Sequence, residues 1–249
     1  MRLIKIIFLG ALAIAVLLHW QRDSLPEPEF YDSALLLAPE QTPLQTAVFT
    51  TKAGDQSYQI KPLFNYQLNG VVVSLHDAGD MRDVWHHENW KDFLNVRDLC
   101  VMWGNNVSAG VYKTMDFHND SWTCWASWYD SETGKQFAGN QLSNNHLLVD
   151  DNAIKKALMS VRVGDQVQFS GYLAAYRNPS NQFQRGTSIT RDDKGNGACE
   201  TVYLTDFRLI KSANPGKRLL YTVAKWIAII GLLIIIIDFI KAPVSRKYR

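Results

Sequence analysis

Only three cysteines, Cys100, Cys124 and Cys199, occur in the 249 residues, and no two of them are spaced Cys-x-x-Cys. Thioredoxin-type redox chemistry therefore has no basis in the sequence, and at most one intramolecular disulfide can form, leaving one thiol over. Also missing are His-Glu-x-x-His, Gly-x-Ser-x-Gly, the phosphate-binding P-loop and the glycine-rich dinucleotide fingerprint. Their absence removes the helical zinc protease, the serine-hydrolase elbow and the common nucleotide folds from consideration. There is no internal repeat and no low-complexity tract, which excludes a solenoid.

Basic charge is scarce where a nucleic-acid binder needs it. Residues 21–216 hold 17 Lys and Arg against 23 Asp and Glu, so the formal +2 of the chain comes from its two ends. An acidic middle does not neutralise phosphates, and a nucleic-acid partner is disfavoured. No cofactor is implied by any motif.

What the chain does have is two apolar runs. Ile6 to Trp20 contains no charged residue and follows Arg2 and Lys5. It exits through His19-Trp20-Gln21-Arg22-Asp23 rather than through small residues, which reads as an uncleaved signal anchor over residues 1–20. The second run, residues 219–240, includes four consecutive isoleucines and has no polar face, as expected of a transmembrane helix. Arg2, Lys5, Lys241, Arg246, Lys247 and Arg249 flank the outer ends of these spans, whereas the inner flanks offer Arg22, Lys217 and Arg218. The positive-inside rule then places both termini in the cytoplasm, with residues 241–249 as a basic tail and the middle periplasmic or otherwise extracytoplasmic.

Residues 21–55 hold Pro26, Pro28, Pro39 and Pro43 and read as an extended tether. From residue 56 to 212 the texture is that of strands: alternation through Tyr58–Leu68, a buried run Val71–Leu75 after an expected bend at Asn69-Gly70, then Asp98–Gly104, Val111–Phe117, Trp122–Tyr129, Gln166–Tyr176 and Thr201–Ile210. A helix is expected over Asp151–Met159, where Ile154, Ala157 and Leu158 recur at helical spacing, and another over Asp80–Leu94. The Gly164-Asp165 turn launches a strand with Gly171 in mid-run, a device that lets a strand coil sharply in a small barrel. The fold class is thus β-rich α+β: an OB-like curled antiparallel sheet or small barrel with one or two helices, flanked by the two membrane helices.

Chemistry is harder to place. The stretch Asp83-Val84-Trp85-His86-His87-Glu88-Asn89-Trp90 carries adjacent imidazoles, but neighbours on a helix point about 100° apart and do not both face one ion. A metal site there would need His76 and Asp77 beside His86 or His87. Otherwise Trp85, Trp90 and Phe93 dock the segment on the sheet. Ser143-Asn144-Asn145-His146, just before the second helix, offers a nucleophile and base pair near a cleft as a further alternative. Cys100 and Cys124 lie on strands able to face one another, so they are the expected disulfide in an oxidising compartment. Cys199 is then free, or an intersubunit partner if the chain is an oligomer.

Aromatic density is the strongest signal. Trp85, Trp90, Trp103, Trp122, Trp125 and Trp128 put six tryptophans in 44 positions. Period-two alternation sets Trp122 and Trp128 on one face, as partner-binding candidates, and assigns Trp125 with Trp103 to the core. Arg177, Arg185 and Arg191, in two long polar loops, are candidates to meet an anionic partner. The function that fits best is a binding or scaffold domain held at the inner membrane by both ends and acting with a protein partner in a cell-envelope complex. An envelope hydrolase built on a His/Asp cluster and an OB-like nucleic-acid binder are the alternatives.

This topology has a direct test. Alkaline phosphatase fused after Gly216 is expected to be active and the same fusion after Arg249 inactive; the opposite pattern would invert the sidedness.

Overall fold

The computed structural model describes residues 1–79, 85–192 and 199–241. In chain order its elements are α1 (Arg2–Gln21), β1 (Glu40–Pro43), β2 (Phe49–Ala53), β3 (Gln56–Asp77), β4 (Asn95–Met102), α2 (Asn105–Ser108), β5 (Met115–Asn119) and β6 (Cys124–Trp128). There follow α3 (Ser131–Gln136), β7 (Leu142–Leu148), α4 (Asn152–Ser160), β8 (Gln166–Arg177), β9 (Gln184–Arg185), β10 (Glu200–Lys211) and α5 (Pro215–Lys241). The chain divides into two compact units, Met1–Ser24 with Asn214–Arg249, and Leu25–Ala213.

The first unit is the pair α1 and α5, each long and apolar enough to cross a membrane. At 1.5 Å per residue the 20-residue α1 spans about 30 Å and the 27-residue α5 about 40 Å. They approach along small side chains: Ala11 and Ala15 on α1, Ala224, Ala228 and Gly231 on α5 are the buried positions. A Cβ at Gly231 would lie 3.1 Å from Phe8 Cβ. Small residues at such spacing let helix backbones come close, which is how helices associate where no hydrophobic effect drives them together.

The second unit is sheet-rich. β3 pairs antiparallel with β8 through Gln59–Val71 and then with β4 through Val71–Asp77. β4 continues to β7 antiparallel, β7 to β10 parallel, and β10 to β8 antiparallel, so the curled sheet closes on itself through β3 and β8. Alternate residues point inward, and Leu68, Val72, Leu99, Val101, Leu147, Val167, Phe169, Leu173 and Val202 fill the interior. α4 packs Ile154, Ala157 and Leu158 against this core. Its N-cap is Asp151, whose Oδ1 accepts from the backbone N–H of Ala153 and Ile154 at 2.7 and 2.9 Å. At its other end the buried Arg97 of β4 donates through Nη1 to the carbonyls of Leu158 and Val161, both at 3.0 Å, and pairs with Asp77.

Several expectations are refined. The proline-bearing stretch lies in the compact unit rather than extending as a tether. β1 and β2 both pair with β3, and Tyr31 and Leu36 are buried with Val71, Cys100 and Met102. Prolines lack an N–H but tolerate edge positions, and Pro43 closes the edge strand β1. The bend expected at Asn69-Gly70 is a close approach instead: the register shifts of β3 fall between Pro62 and Phe64 and between Val72 and Ser74. A Cβ at Gly70 would sit 2.6 Å from the Met102 carbonyl oxygen. The helix expected over residues 80–94 reduces, among the described residues, to one wide turn over Trp85–Asn89. Residues 80–84, and the side chains of Trp85 and His86, lie outside the described part.

Gly171, expected to let its strand coil, marks a close approach of two backbones. It stands opposite Leu204 of β10 and Tyr66 of β3, and a Cβ there would fall 2.0 Å from the Tyr203 carbonyl oxygen. Gly171→Ala is therefore expected to destabilise the barrel by about 3 kcal/mol, the upper range for overpacking. A lowered thermal midpoint by circular dichroism in detergent checks it; an unchanged midpoint would mean the β8–β10 approach is slack.

Candidate functional site: an aromatic cleft over a buried polar row

On β4 the period of two sends Leu99 and Val101 into the core and puts Asp98 and Cys100 on the opposite face. Across the antiparallel register, Asp98 meets His146 and Cys100 meets Asn144 on β7. The parallel partner β10 sets Thr201 beside His146, and Cys199 directly precedes that strand. A polar row thus runs across three adjacent strands on the outer face of the barrel.

Its members are buried and connected. His146 Nδ1 lies 2.8 Å from Asp98 Oδ1, with both side chains almost fully withdrawn from solvent. His146 and Cys199 are close enough for each to act on the other's ionisation. Cys199 Sγ donates to the Trp122 carbonyl at 3.4 Å, and Asn144 Nδ2 donates to the same carbonyl at 3.1 Å while standing 3.6 Å from Sγ. Asn95 Nδ2 donates to Asp98 Oδ1 at 3.0 Å.

The electrostatics follow from burial opposed by pairing. Burial alone would raise the Asp98 pKa, but the His146 charge and hydrogen bond, with Arg185 and Asn95, bring it below the ordinary carboxylate value. Burial would lower that of His146, but Asp98 and Cys199 outweigh it and the imidazole is held above its ordinary value. Burial would likewise raise the Cys199 thiol, yet the hydrogen bond and charge of His146, with Asn144, draw it down. Asp98 is therefore a carboxylate facing an imidazole that readily carries a proton.

Above the row, three loop segments bring rings together. Trp90 lies 4.7 Å from Trp122 and stacks on Phe183 at 5.9 Å, while Phe183 meets Tyr176 edge-on at 5.5 Å. The Arg185 guanidinium sits 4.7 Å over the Trp122 ring. Its two terminal nitrogens are buried without a hydrogen-bond partner among the described residues. Trp90, Trp122, Phe183 and Arg185 border a cleft of about 450 Å³ together with Asn89, Asn181, Gln182 and Gln184.

Local bonds fix each ring's backbone. Asn181 Nδ2 donates to the Trp90 carbonyl at 2.8 Å, and its Oδ1 accepts from Phe183 N–H at 2.8 Å. Tyr58 Oη donates to the Lys91 carbonyl at 2.5 Å and accepts from Phe93 N–H at 2.9 Å. Tyr176 Oη donates to Asp92 Oδ2 at 2.6 Å. On the β5–β6 hairpin, Asp120 Oδ1 accepts from the N–H groups of Trp122 and Thr123 at 2.8 and 2.7 Å. The disulfide Cys100–Cys124, Cα atoms 5.7 Å apart, ties that hairpin to β4, and Asn119 Nδ2 donates to Asn144 Oδ1 at 2.8 Å.

The residues singled out from sequence are only partly brought together. Trp122 and Arg185 share the cleft. Trp128 packs on Phe137 at 5.6 Å, away from those two. Arg177 donates through Nε to Gln59 Oε1 at 2.8 Å and borders a neighbouring hollow of about 590 Å³ that also includes Arg185. Arg191 pairs with the buried Glu200 and lies 5.2 Å over Tyr66, so its charge is spent inside the protein. Trp103 is buried as expected, but Trp125 is half exposed. The β5–β6 pair is a separate two-stranded sheet covered on one side only, and Trp125 stacks on His118 at 6.3 Å while donating through Nε1 to Asp120 Oδ2 at 2.8 Å.

As for a metal, no group of three His, Cys, Asp or Glu side chains among the described residues is arranged to hold an ion. Asp77 is taken by Arg97, and the His87 ring stacks on Phe93 at 4.8 Å. Asp98, Cys199, Trp90 in its cleft role and Phe183 were not reached from sequence. The signals were present in the polar residues of Asp98-Leu99-Cys100 and Asn144-Asn145-His146, strands that are otherwise apolar. No protein-family model, curated protein or solved structure matches this chain.

The Asp98–His146 pair sets a pH dependence. Asp98, depressed on folding, stabilises the fold above the ordinary carboxylate pKa and loses this as pH falls through its folded value. His146, raised on folding, stabilises below about 6.5 and loses this as pH climbs through its folded value. Asp98→Asn is expected to cost about 3 kcal/mol near pH 6, as for removal of one member of a buried pair, with the deficit shrinking at alkaline pH. Thermal midpoints of both proteins across pH check this; a pH-independent deficit would contradict a charged pair.

Proposed function

We propose that the protein is a doubly membrane-anchored extracytoplasmic binding domain, built on an OB-type barrel, that captures a protein partner of the cell envelope in the Trp90–Trp122–Phe183 cleft. The OB reading is supported by the ring order β3-β4-β7-β10-β8, by the parallel β7–β10 pair and by the placing of α4 between β7 and β8. In such barrels the outer face of the second and third strands and its bordering loops receive ligands. Here those strands are β4 and β7. The bordering loops carry Trp90 and Phe183 with Arg185, and the hairpin between the two strands brings Trp122.

The observation that carries the reading is the solvent-facing aromatic cluster itself. Trp122 is 45 % exposed although the core of the same chain takes in Trp103. Aromatic anchors beside an arginine are the residue types that dominate binding hot spots. The cation of Arg185 favours a partner segment that presents a carboxylate next to an apolar side chain. The acidic excess of the domain disfavours a polyanionic strand in the same place. The bridged Cys100–Cys124 pair supports an oxidising, extracytoplasmic setting.

A photo-crosslinking residue at Gln182, which borders the cleft, is expected to yield a discrete adduct with an envelope protein in cells. Trp122→Ala and Arg185→Ala are each expected to weaken that capture at least tenfold, the equivalent of about 1.4 kcal/mol. Adducts unaffected by either change would place the binding surface elsewhere.

A further inference from the structure

We propose that Cys199 is a nucleophile for acyl transfer from an ester or thioester, with His146 as its acid and base and Asp98 as the residue that positions His146. The proposal is independent of what the aromatic cleft captures. It rests on three side chains that the strand register brings to one face: a carboxylate 2.8 Å from one imidazole nitrogen, and a thiol 3.6 Å from Asn144, the residue two before His146 on β7, where the imidazole acts on its ionisation. A nucleophile, a base within reach of it and a third group orienting the base are the elements such catalysis needs. The three residues come from β4, β7 and the start of β10, so the sheet's hydrogen-bond ladder fixes their separation. Asn144 adds a side-chain N–H donor 3.6 Å from the sulfur, which favours the thiolate.

Cys199 itself is partly exposed, whereas His146 and Asp98 are shut away beneath it. A substrate therefore meets sulfur first, and the proton-carrying pair is shielded from bulk water. The groups facing the imidazole are Asp98 from β4 and Cys199 beside β10, with Arg185 of β9 close enough to act on its charge. Their combined effect leaves the thiol easier to ionise than an ordinary cysteine.

The step balances without an oxidant. The sulfur attacks the carbonyl carbon, its proton passing to His146, and a C–S bond forms as the carbonyl electrons move to oxygen. Collapse breaks the bond to the leaving alcohol or thiol, which takes the proton from His146. Water then gives a proton to His146 and its oxygen to the thioester carbon. The C–S bond breaks, the acid leaves and the thiol regains the proton. Disulfide exchange is a poorer use of the same site. The other two cysteines are joined to each other, and a thiolate leaving group needs no proton from a histidine.

The test uses the full chain in detergent micelles with p-nitrophenyl acetate. Wild type is expected to release a burst of about one equivalent of p-nitrophenolate and to carry one acetyl group on the peptide containing Cys199, both lost in Cys199→Ala. The burst rate should level off below the ordinary thiol pKa of about 8.5. Asp98→Asn should move that limb to higher pH, and His146→Gln should slow the burst roughly 100-fold. The wild-type profile decides the matter even if a variant fails to fold. No acetylation of Cys199, or acetylation that rises only through the ordinary thiol pKa, would overturn the proposal, as would an equal rate in folded His146→Gln.

Discussion

β3 is hydrogen-bonded to β8 along its first half and to β4 along its second, and every other feature of the sheet-rich unit depends on that double pairing. A strand can serve two neighbours in this way only if it coils strongly, which needs bulges and places where backbones come unusually close. The register shifts near Leu63 and Val73 provide the first, and Gly70 and Gly171 the second. Closure removes the sheet edges that would otherwise be left unpaired, and it encloses an apolar interior that α4 covers. Arg97, locked between Asp77 and the last carbonyls of α4, holds that cover in place.

Closure also decides what the outer face can be. With the interior filled by aliphatic and aromatic side chains, the alternate positions of β4 and β7 are released from core duty, and they carry Asp98, Asn144 and His146 instead. These groups are nonetheless buried, because the disulfide-tied hairpin and the loops bearing Trp90 and Phe183 fold over them. Burying a carboxylate and an imidazole is costly unless they pair, and here they do. The result is a desolvated carboxylate–imidazole pair beneath an aromatic rim, with one partly exposed sulfur beside it. An apolar rim that excludes water strengthens each electrostatic interaction under it.

The same arrangement explains why binding and chemistry need not be rival readings. The rings of Trp90, Trp122 and Phe183 offer apolar area with little conformational entropy to lose. The main-chain carbonyl of Trp122 accepts from both Cys199 and Asn144, so the residue that lines the cleft also touches the polar row.

By itself the sequence determined the elements whose physics is local. Two apolar helices follow from uninterrupted hydrophobic runs; α4 follows from its period and its Asp151 cap; the strands follow from alternation. The cysteine pair was legible because few pairings were available. Only the tertiary structure decided which distant residues meet. That residues 40–43 and 49–53 pair with β3, that Trp125 is exposed, and that Asp98, His146 and Cys199 converge from positions up to about a hundred residues apart are consequences of register. Register is set by the sum of many backbone hydrogen bonds and by how the interior fills, neither of which leaves a mark at any single residue. A histidine in Asn144-Asn145-His146 reads the same whether it faces solvent or a carboxylate; the closed sheet gives it the carboxylate.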